Sequence, residues 1–222
     1  MEQFGFSHFI TSLDALGIGV LIALLVLSIT SWYIIVTKGI ALYGLNRQTD
    51  RFMDRFVDAD TMEKMVEISD ESLYPCDLSR VLKKVTDLSM EHKIETLDTM
   101  STRILHHSID KATEETEKGM ILLASAGSVA PFIGLFGTVW GIYHALLTIG
   151  MMSQGSLDKV AGPVGEALIM TALGLGVAIP AVLAYNAFTR VNRLYLAKLD
   201  GFAHDVHLMV MNHALEQNPK DR

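Results

Sequence analysis

One ionisable side chain, that of Glu166, lies inside a long apolar stretch of the sequence. The 30 residues of Val160–Thr189 contain no other formal charge, and the other apolar stretches contain no Lys or Arg that could pair with it. A charged group at the centre of a bilayer costs at least ~2.5–3.5 kcal/mol. The carboxyl group must therefore face water or take up a proton, since removal from water favours its neutral form. We interpret Glu166 as a proton-binding residue; the alternative is that it merely reaches the outer interface of a membrane.

Two hydroxyl groups within the apolar stretches could extend a proton pathway. Thr138 and Thr171 are polar residues in otherwise apolar surroundings, and a hydroxyl both donates and accepts hydrogen bonds, so it can hold water in place. The alternative is a local bond to the carbonyl four residues earlier, which is common for threonine in membrane helices. Glu166 and Thr171 are about 140° apart on an ideal helix. Both can face one pore axis only if the helix is irregular or if one faces a neighbouring helix.

Other reactive residue types do not form a recognisable site. Cys76 is the only cysteine, which excludes an internal disulfide and a thiolate metal site. His204 and His207 have helical spacing, but no cysteine or repeated acidic partner completes a metal site beside them. The sequence contains no nucleophile–base pair, phosphate loop or dinucleotide fingerprint. The net charge is −7, and no basic cluster with aromatic residues is present, which argues against nucleic-acid binding. We predict a protein that is not an enzyme and has no cofactor or metal.

Three apolar stretches must position these residues. Ala15–Thr37 and Gly119–Leu157 contain no charge over 23 and 39 residues, and Val160–Thr189 contains only Glu166. A transmembrane helix needs about 20 apolar residues, so each stretch can cross a bilayer. The chain is therefore predicted to be an all-α membrane protein with three transmembrane helices. These predicted helices lie at 13–37, 119–150 and 162–189, and a turn at 151–161 joins the last two.

Basic residues predict the orientation of the chain. No Lys or Arg precedes the first apolar stretch, whereas Lys38 follows it, Lys118 precedes the second stretch and Arg190 follows the third. Because Lys and Arg are enriched in cytoplasmic segments, the N-terminal segment 1–12 is predicted to lie outside and the C-terminal segment 190–222 in the cytoplasm.

The insert at 38–118 is predicted to be cytoplasmic and helical. It contains 12 Lys and Arg, 17 Asp and Glu and a single proline, Pro75. Apolar residues recur at helical intervals both in the insert and in the segment 190–222. We predict that the insert and the C-terminal segment pack as a helical bundle, with the C-terminal helix continuing from the third transmembrane helix.

Small residues at spacing four predict close helix packing in the second and third apolar stretches. Small residues let helix backbones approach one another in lipid, where the hydrophobic drive between helices is weak. Such faces occur in most multispanning proteins and indicate packing rather than transport. The small-residue faces are larger than three helices need in order to pack against one another, so we predict that the protein forms oligomers. The predicted packing positions are Ala130, Gly134, Gly137, Gly141 and Gly176.

Two runs of sequence resemble a known family. The run APFIGLFGTVWGI at 130–142 and the run GPVGEALIMTA at 162–172, followed by AIPA at 178–181, resemble the second and third transmembrane helices of the MotA/TolQ/ExbB proton channel family. They are most similar to its ExbB and TolQ branches. The insert is similar to the family only in length, charge and helical character.

This resemblance implies an inner-membrane protein of a Gram-negative cell, with segment 1–12 in the periplasm. In the family, ExbB-like subunits form a ring, pentameric in the current view, around a single-span ExbD-like partner. Proton flow at their boundary drives motion that a TonB-like protein passes to outer-membrane receptors for iron–siderophore complexes and vitamin B12. The family's pore-lining glutamate matches Glu166, and its pore threonines match Thr138 and Thr171.

The resemblance therefore predicts an ExbB-type subunit of a motor driven by the proton motive force. A TolQ subunit of the Tol–Pal system is the alternative within the family. A non-conducting membrane scaffold, with Glu166 at the interface, is the alternative of a different class. Loss of energised uptake in a Glu166→Gln variant that still assembles would separate the motor from the scaffold.

Overall fold

The protein is helical throughout the part of the chain that the structure describes. The computed structural model describes residues 13–57, 64, 67, 81, 83–87, 94–151 and 157–217. The long helices among these residues are α1 (Ala15–Val57), α2 (Ile94–Glu117), α3 (Met120–Met151) and α4 (Leu157–Gln217). The predicted all-α class is confirmed for these residues.

Helices α1, α3 and α4 are each long and apolar enough to cross a membrane. The helices extend beyond the three predicted segments, since α1 continues to Val57 and α4 begins at Leu157 and continues to Gln217. A charged residue marks the end of an apolar stretch, but the helix can continue past it because Lys, Arg and Glu are good helix formers. Of the predicted turn at 151–161, residues 152–156 lie outside the described residues, and residues 157–161 belong to α4.

One compact unit contains the chain up to Thr37 together with Gly119–Phe188. Its main core joins Val20 and Leu24 of α1 to Ala130 of α3 and to Met170 and Ala178 of α4. Many large apolar side chains on the outside of this unit are exposed. Exposed apolar surface on this scale is expected where lipid or another helix covers a protein.

A second compact unit contains Lys38–Lys118 and Thr189–Arg222. Its core includes an aromatic cluster in which the Phe202 ring lies 5.3 Å from that of Phe52 and 4.8 Å from that of Phe56, both in edge-to-face geometry. Edge-to-face pairs at such separations are favourable beyond the apolar area that they bury. The insert and the C-terminal helix therefore share one hydrophobic core, to which α1, α2 and α4 all contribute.

The C-terminal end of α2 is capped by side chains from two other helices. The Asn192 amide donates to the Thr116 carbonyl at 2.7 Å, and the Lys38 ammonium donates to the Lys118 carbonyl at 2.8 Å. The last carbonyls of a helix have no partner within it, so these bonds satisfy two of them. Gly119 follows with a φ of +80°, a conformation that glycine adopts without steric cost.

Candidate functional site

Helices α3 and α4 approach each other through facing glycines. A Cβ on Gly134 would lie 2.6 Å from the carbonyl oxygen of Met170, and one on Gly174 would lie 2.6 Å from that of Ala130. Real Cβ atoms essentially never come within 3.0 Å of another heavy atom. Only glycine fits at these two positions, as expected where helix backbones pack closely.

The same close packing continues along α3 to its neighbours. A Cβ on Gly137 would lie 3.0 Å from Val20 Cγ1, and one on Gly141 would lie 3.0 Å from Ala167 Cβ. These two glycines, with Ala130 and Gly134, place four of the five predicted packing positions in contacts between helices.

Gly176 does not pack in this way within the chain. No heavy atom lies within 4 Å of a Cβ built on Gly176, and the residue is exposed. Within one chain Gly174, not Gly176, contacts α3, and the packing of Gly176 against a helix stays a prediction for the oligomer. Small residues occur on more than one face of α4, and spacing alone does not say which face meets α3.

Thr138 and Thr171 meet across the contact between α3 and α4. Their hydroxyl oxygens are 2.7 Å apart. Thr138 also makes the local bonds expected of a helical threonine, with its Oγ1 2.8 Å from the Leu135 carbonyl and 3.1 Å from the Gly134 carbonyl. A hydroxyl has one proton to donate. When Thr138 gives it to Leu135, Thr171 donates to Thr138, so the two threonines form a short directed chain of hydrogen bonds.

Glu166 lies on a different side of α4 from this threonine pair. Its side chain is half-buried. Leu173 follows seven residues later, so the two side chains are about 20° apart around the helix. Leu173 packs against the core that all three helices share, whereas Thr171 meets Thr138 of α3. The structure therefore brings the two predicted threonines together, and the predicted glutamate lies about 140° from Thr171 around α4.

Asp14 is a charged residue of this unit that the sequence reasoning missed. It directly precedes α1, and its two carboxylate oxygens accept hydrogen bonds from Trp140 Nε1 at 2.7 Å and from the Gly17 backbone N–H at 2.8 Å. An acidic residue before an apolar helix is a typical N-cap, and that signal was available in the sequence. Trp140 is 126 residues away, so only the fold reveals this contact.

The two histidines considered for metal binding, His204 and His207, do not form a metal site with other described residues. His207 Nδ1 lies 3.1 Å from Ser101 Oγ, and its Nε2 lies 3.3 Å from Asp98 Oδ1. His204 is exposed. Among the residues that the structure describes, no group of three or more His, Cys, Asp or Glu side chains is placed to hold a metal ion. Cys76 lies outside that part of the chain.

Comparison with known proteins identifies a family and several relatives. Residues 76–200 match the MotA/TolQ/ExbB proton channel family. The biopolymer transport protein ExbB of Xanthomonas campestris is 39% identical, with 93% of this chain and 88% of that protein covered. The protein of the same name from Neisseria meningitidis is 37% identical, with 90% and 94% covered. The Tol-Pal system protein TolQ of Pseudomonas aeruginosa is 31% identical, with 83% of each covered.

Proposed function

The chain belongs to the MotA/TolQ/ExbB proton channel family, and we propose that it is the ExbB-type subunit of an inner-membrane motor driven by the proton motive force. The proteins of this family energise transport and are not enzymes, as predicted for this chain. The motor would work with an ExbD-like single-span partner and a TonB-like protein to energise import through outer-membrane receptors, with iron–siderophore complexes and vitamin B12 as cargo.

The threonine pair is the observation that best supports this proposal. Thr138 and Thr171 place two bonded hydroxyls in the contact between two apolar helices, and Thr171 lies five residues after Glu166, the only formal charge in its stretch. The Glu166 side chain is half-buried in an apolar stretch, and carboxyl groups at membrane depth are typical members of proton relays. In this mechanism Glu166 takes a proton from the periplasmic side and releases it towards the cytoplasm. The threonines orient water or partner groups beside it.

The angular separation of Glu166 and the threonines suits a pathway shared between chains. In a ring of identical subunits, one side of α4 faces a neighbouring helix while another faces the ring axis. The exposed residues Ala172 and Gly176 offer a small-residue surface that is unused within one chain and can admit another helix closely. A homo-oligomer, pentameric by analogy with the family, uses both sides of α4.

The proposed orientation places the N-terminus in the periplasm and the C-terminus in the cytoplasm. It follows from Lys38, Lys118 and Arg190 at the ends of the apolar stretches, since positive residues favour the cytoplasmic side. The second compact unit would then lie in the cytoplasm. Cysteine labelling from outside intact cells tests this, with residue 11 expected to be accessible and residue 216 protected.

The ExbB assignment is favoured over TolQ by the relatives. The ExbB proteins of Xanthomonas campestris and Neisseria meningitidis are 39% and 37% identical and cover 93% and 90% of this chain, whereas the TolQ proteins of Haemophilus influenzae and Pseudomonas aeruginosa are 36% and 31% identical and cover 79% and 83% of it. Complementation decides between them. We expect the chain to restore iron–siderophore uptake to cells that lack ExbB, when supplied with its own ExbD-like partner, and not to restore outer-membrane integrity to cells that lack TolQ.

The variant Glu166→Gln tests the motor against the scaffold. Glutamine keeps the size of the side chain but cannot exchange a proton, so we expect energised uptake to be lost while the complex with the single-span partner still assembles. The exposed residue Glu216 on the same helix provides the control Glu216→Gln, which should retain uptake. Normal uptake by Glu166→Gln would favour the scaffold and refute the motor.

A further inference from the structure

Asp14 and Glu166 lie at the same level of the first compact unit. Trp140, which donates to Asp14 at 2.7 Å, is followed on α3 by Gly141. A Cβ on Gly141 would lie 3.0 Å from Ala167 Cβ, and Ala167 follows Glu166 on α4. Trp140, which contacts the start of α1, therefore directly precedes Gly141, which contacts Ala167 next to Glu166.

The two acids also border the same group of helices. One turn before Trp140 on α3, Gly137 faces both Val20 of α1 and Met170 of α4, with approaches of 3.0 and 3.2 Å for a Cβ. This side of α3 thus meets both other helices. Glu166 lies on the side of α4 that carries Leu173, which packs against the core shared by the three helices.

The contacts of Asp14 hold its side chain as a carboxylate. Both oxygens accept hydrogen bonds from N–H groups, and a protonated carboxyl would give up part of this acceptor capacity. Asp14 precedes the first residue of α1, and its pKa is lowered chiefly by the hydrogen bond from Trp140 and then by the bond from the Gly17 backbone N–H. Burial raises this pKa, and the nearby His144 lowers it by a smaller amount. Asp14 is thus a poor proton carrier and a stable negative charge.

Few other charges compete with Asp14 in this unit. On α1, no charged residue follows it until Lys38. On α3, the titratable groups near it are His144 and Tyr143, whose ring lies 5.8 Å from that of Trp140. On α4, Glu166 lies at this level, and Asp158 and Lys159 lie in the first turn of the helix. Asp14 is therefore a fixed negative charge at this end of the three helices, and its side chain is held by two hydrogen bonds.

We propose that Asp14 is an electrostatic positioning residue for proton transfer: anchored by Trp140, it concentrates protons at the outer side of Glu166. This inference rests on the proposed function, since it assigns Asp14 a part in the same pathway. A fixed charge beside a low-dielectric wall raises the local concentration of counter-ions and their rate of arrival. Asp14 delivers this effect without binding the transported proton itself.

Proton uptake into liposomes that contain the complex with its single-span partner tests this inference. In Asp14→Asn the side chain keeps its size but loses its charge. At low salt and an external pH near 8, we expect uptake to fall by about two- to tenfold, the effect of one charge at a protein surface. The deficit should shrink as the external pH is lowered or as salt screens the charge in the wild type.

Two further variants separate the charge from the hydrogen bond. Trp140→Phe removes the indole donor but keeps the carboxylate, so uptake should retain its dependence on salt. Asp14→Glu keeps the charge and should restore most of the uptake and its salt dependence. Equal losses in Asp14→Asn and Trp140→Phe that do not change with pH or salt would show a merely structural contact and overturn the inference.

The wild-type protein and Glu166→Gln complete the test. If uptake by the wild type does not change with ionic strength at an external pH near 8, the fixed-charge role is refuted even if Asp14→Asn fails to fold. If Glu166→Gln loses uptake while Asp14→Asn behaves as the wild type under all conditions, the role of Asp14 fails and the proton channel stands. If Glu166→Gln conducts normally, the proposed function itself fails.

Discussion

Replacement of Gly134 by alanine should disrupt the contact between α3 and α4. The new Cβ would lie 2.6 Å from the Met170 carbonyl oxygen, and since such contacts essentially never fall below 3.0 Å, the helices must move apart by 0.4 Å or more. That movement would stretch the bond between Thr138 and Thr171, now 2.7 Å. Overpacking of this kind lowers the free energy of unfolding by about 1–3 kcal/mol. The higher helix propensity of alanine offsets up to about 1 kcal/mol of that loss.

Thermal unfolding of the purified protein in detergent measures this effect. For a chain of this size, the expected loss corresponds to a fall of about 2–10 °C in the unfolding midpoint. Gly19→Ala is the matched control, because Gly19 lies in an apolar helix with no atom within 4 Å of its Cβ position. Its midpoint should be unchanged or raised. A Gly134→Ala midpoint equal to that of Gly19→Ala would refute the close backbone contact.

Three further predictions concern the threonine pair and the second compact unit. Thr138→Val and Thr171→Val should each lower the free energy of unfolding by about 0.5–1.5 kcal/mol. The double variant should lower it by less than the sum of the two, because both substitutions remove the same hydrogen bond. A double-mutant cycle by thermal unfolding that shows no coupling would contradict the pairing. Phe202→Ala should lower the free energy of unfolding by about 3–5 kcal/mol. Leu208→Ala, at a half-exposed position of the same helix, should lower it much less. Equal unfolding midpoints for the two variants would contradict the aromatic core. Asn192→Ala should cost about 1–3 kcal/mol because it leaves a buried carbonyl at the end of α2 unsatisfied, and unchanged hydrogen exchange of the last turn of α2 would contradict this.

The helices of the apolar segments were predictable because charge and length constrain them strongly. Long uncharged stretches such as 15–37 leave few alternatives to a membrane helix. The ends of the helices were less predictable, since α1 and α4 continue into charged sequence. Helix propensity permits this, and packing in the second unit, for example of Phe52 and Val206, supplies the stability that a local pattern does not show.

The predicted site residues were found from their chemical type, but their arrangement required the fold. An acid or a hydroxyl in an apolar stretch is conspicuous in the sequence, as Glu166 and Thr138 show. Which side of α4 meets α3 depends on the fit of Gly134 against Gly174, and the same fit leaves Gly176 exposed. The contact between Asp14 and Trp140 joins distant parts of the chain, so no local pattern predicts it.

Infrared difference spectroscopy of the complex with its single-span partner tests most directly whether Glu166 exchanges a proton. Spectra of the wild type and Glu166→Gln, recorded while the external pH is lowered, isolate the carboxyl band of this residue. We predict that a protonated-carboxyl band grows in the wild type as the pH falls, reverses when the pH is raised again and is absent from the variant. A side chain that stays ionised throughout, with no band that depends on Glu166, would contradict the account.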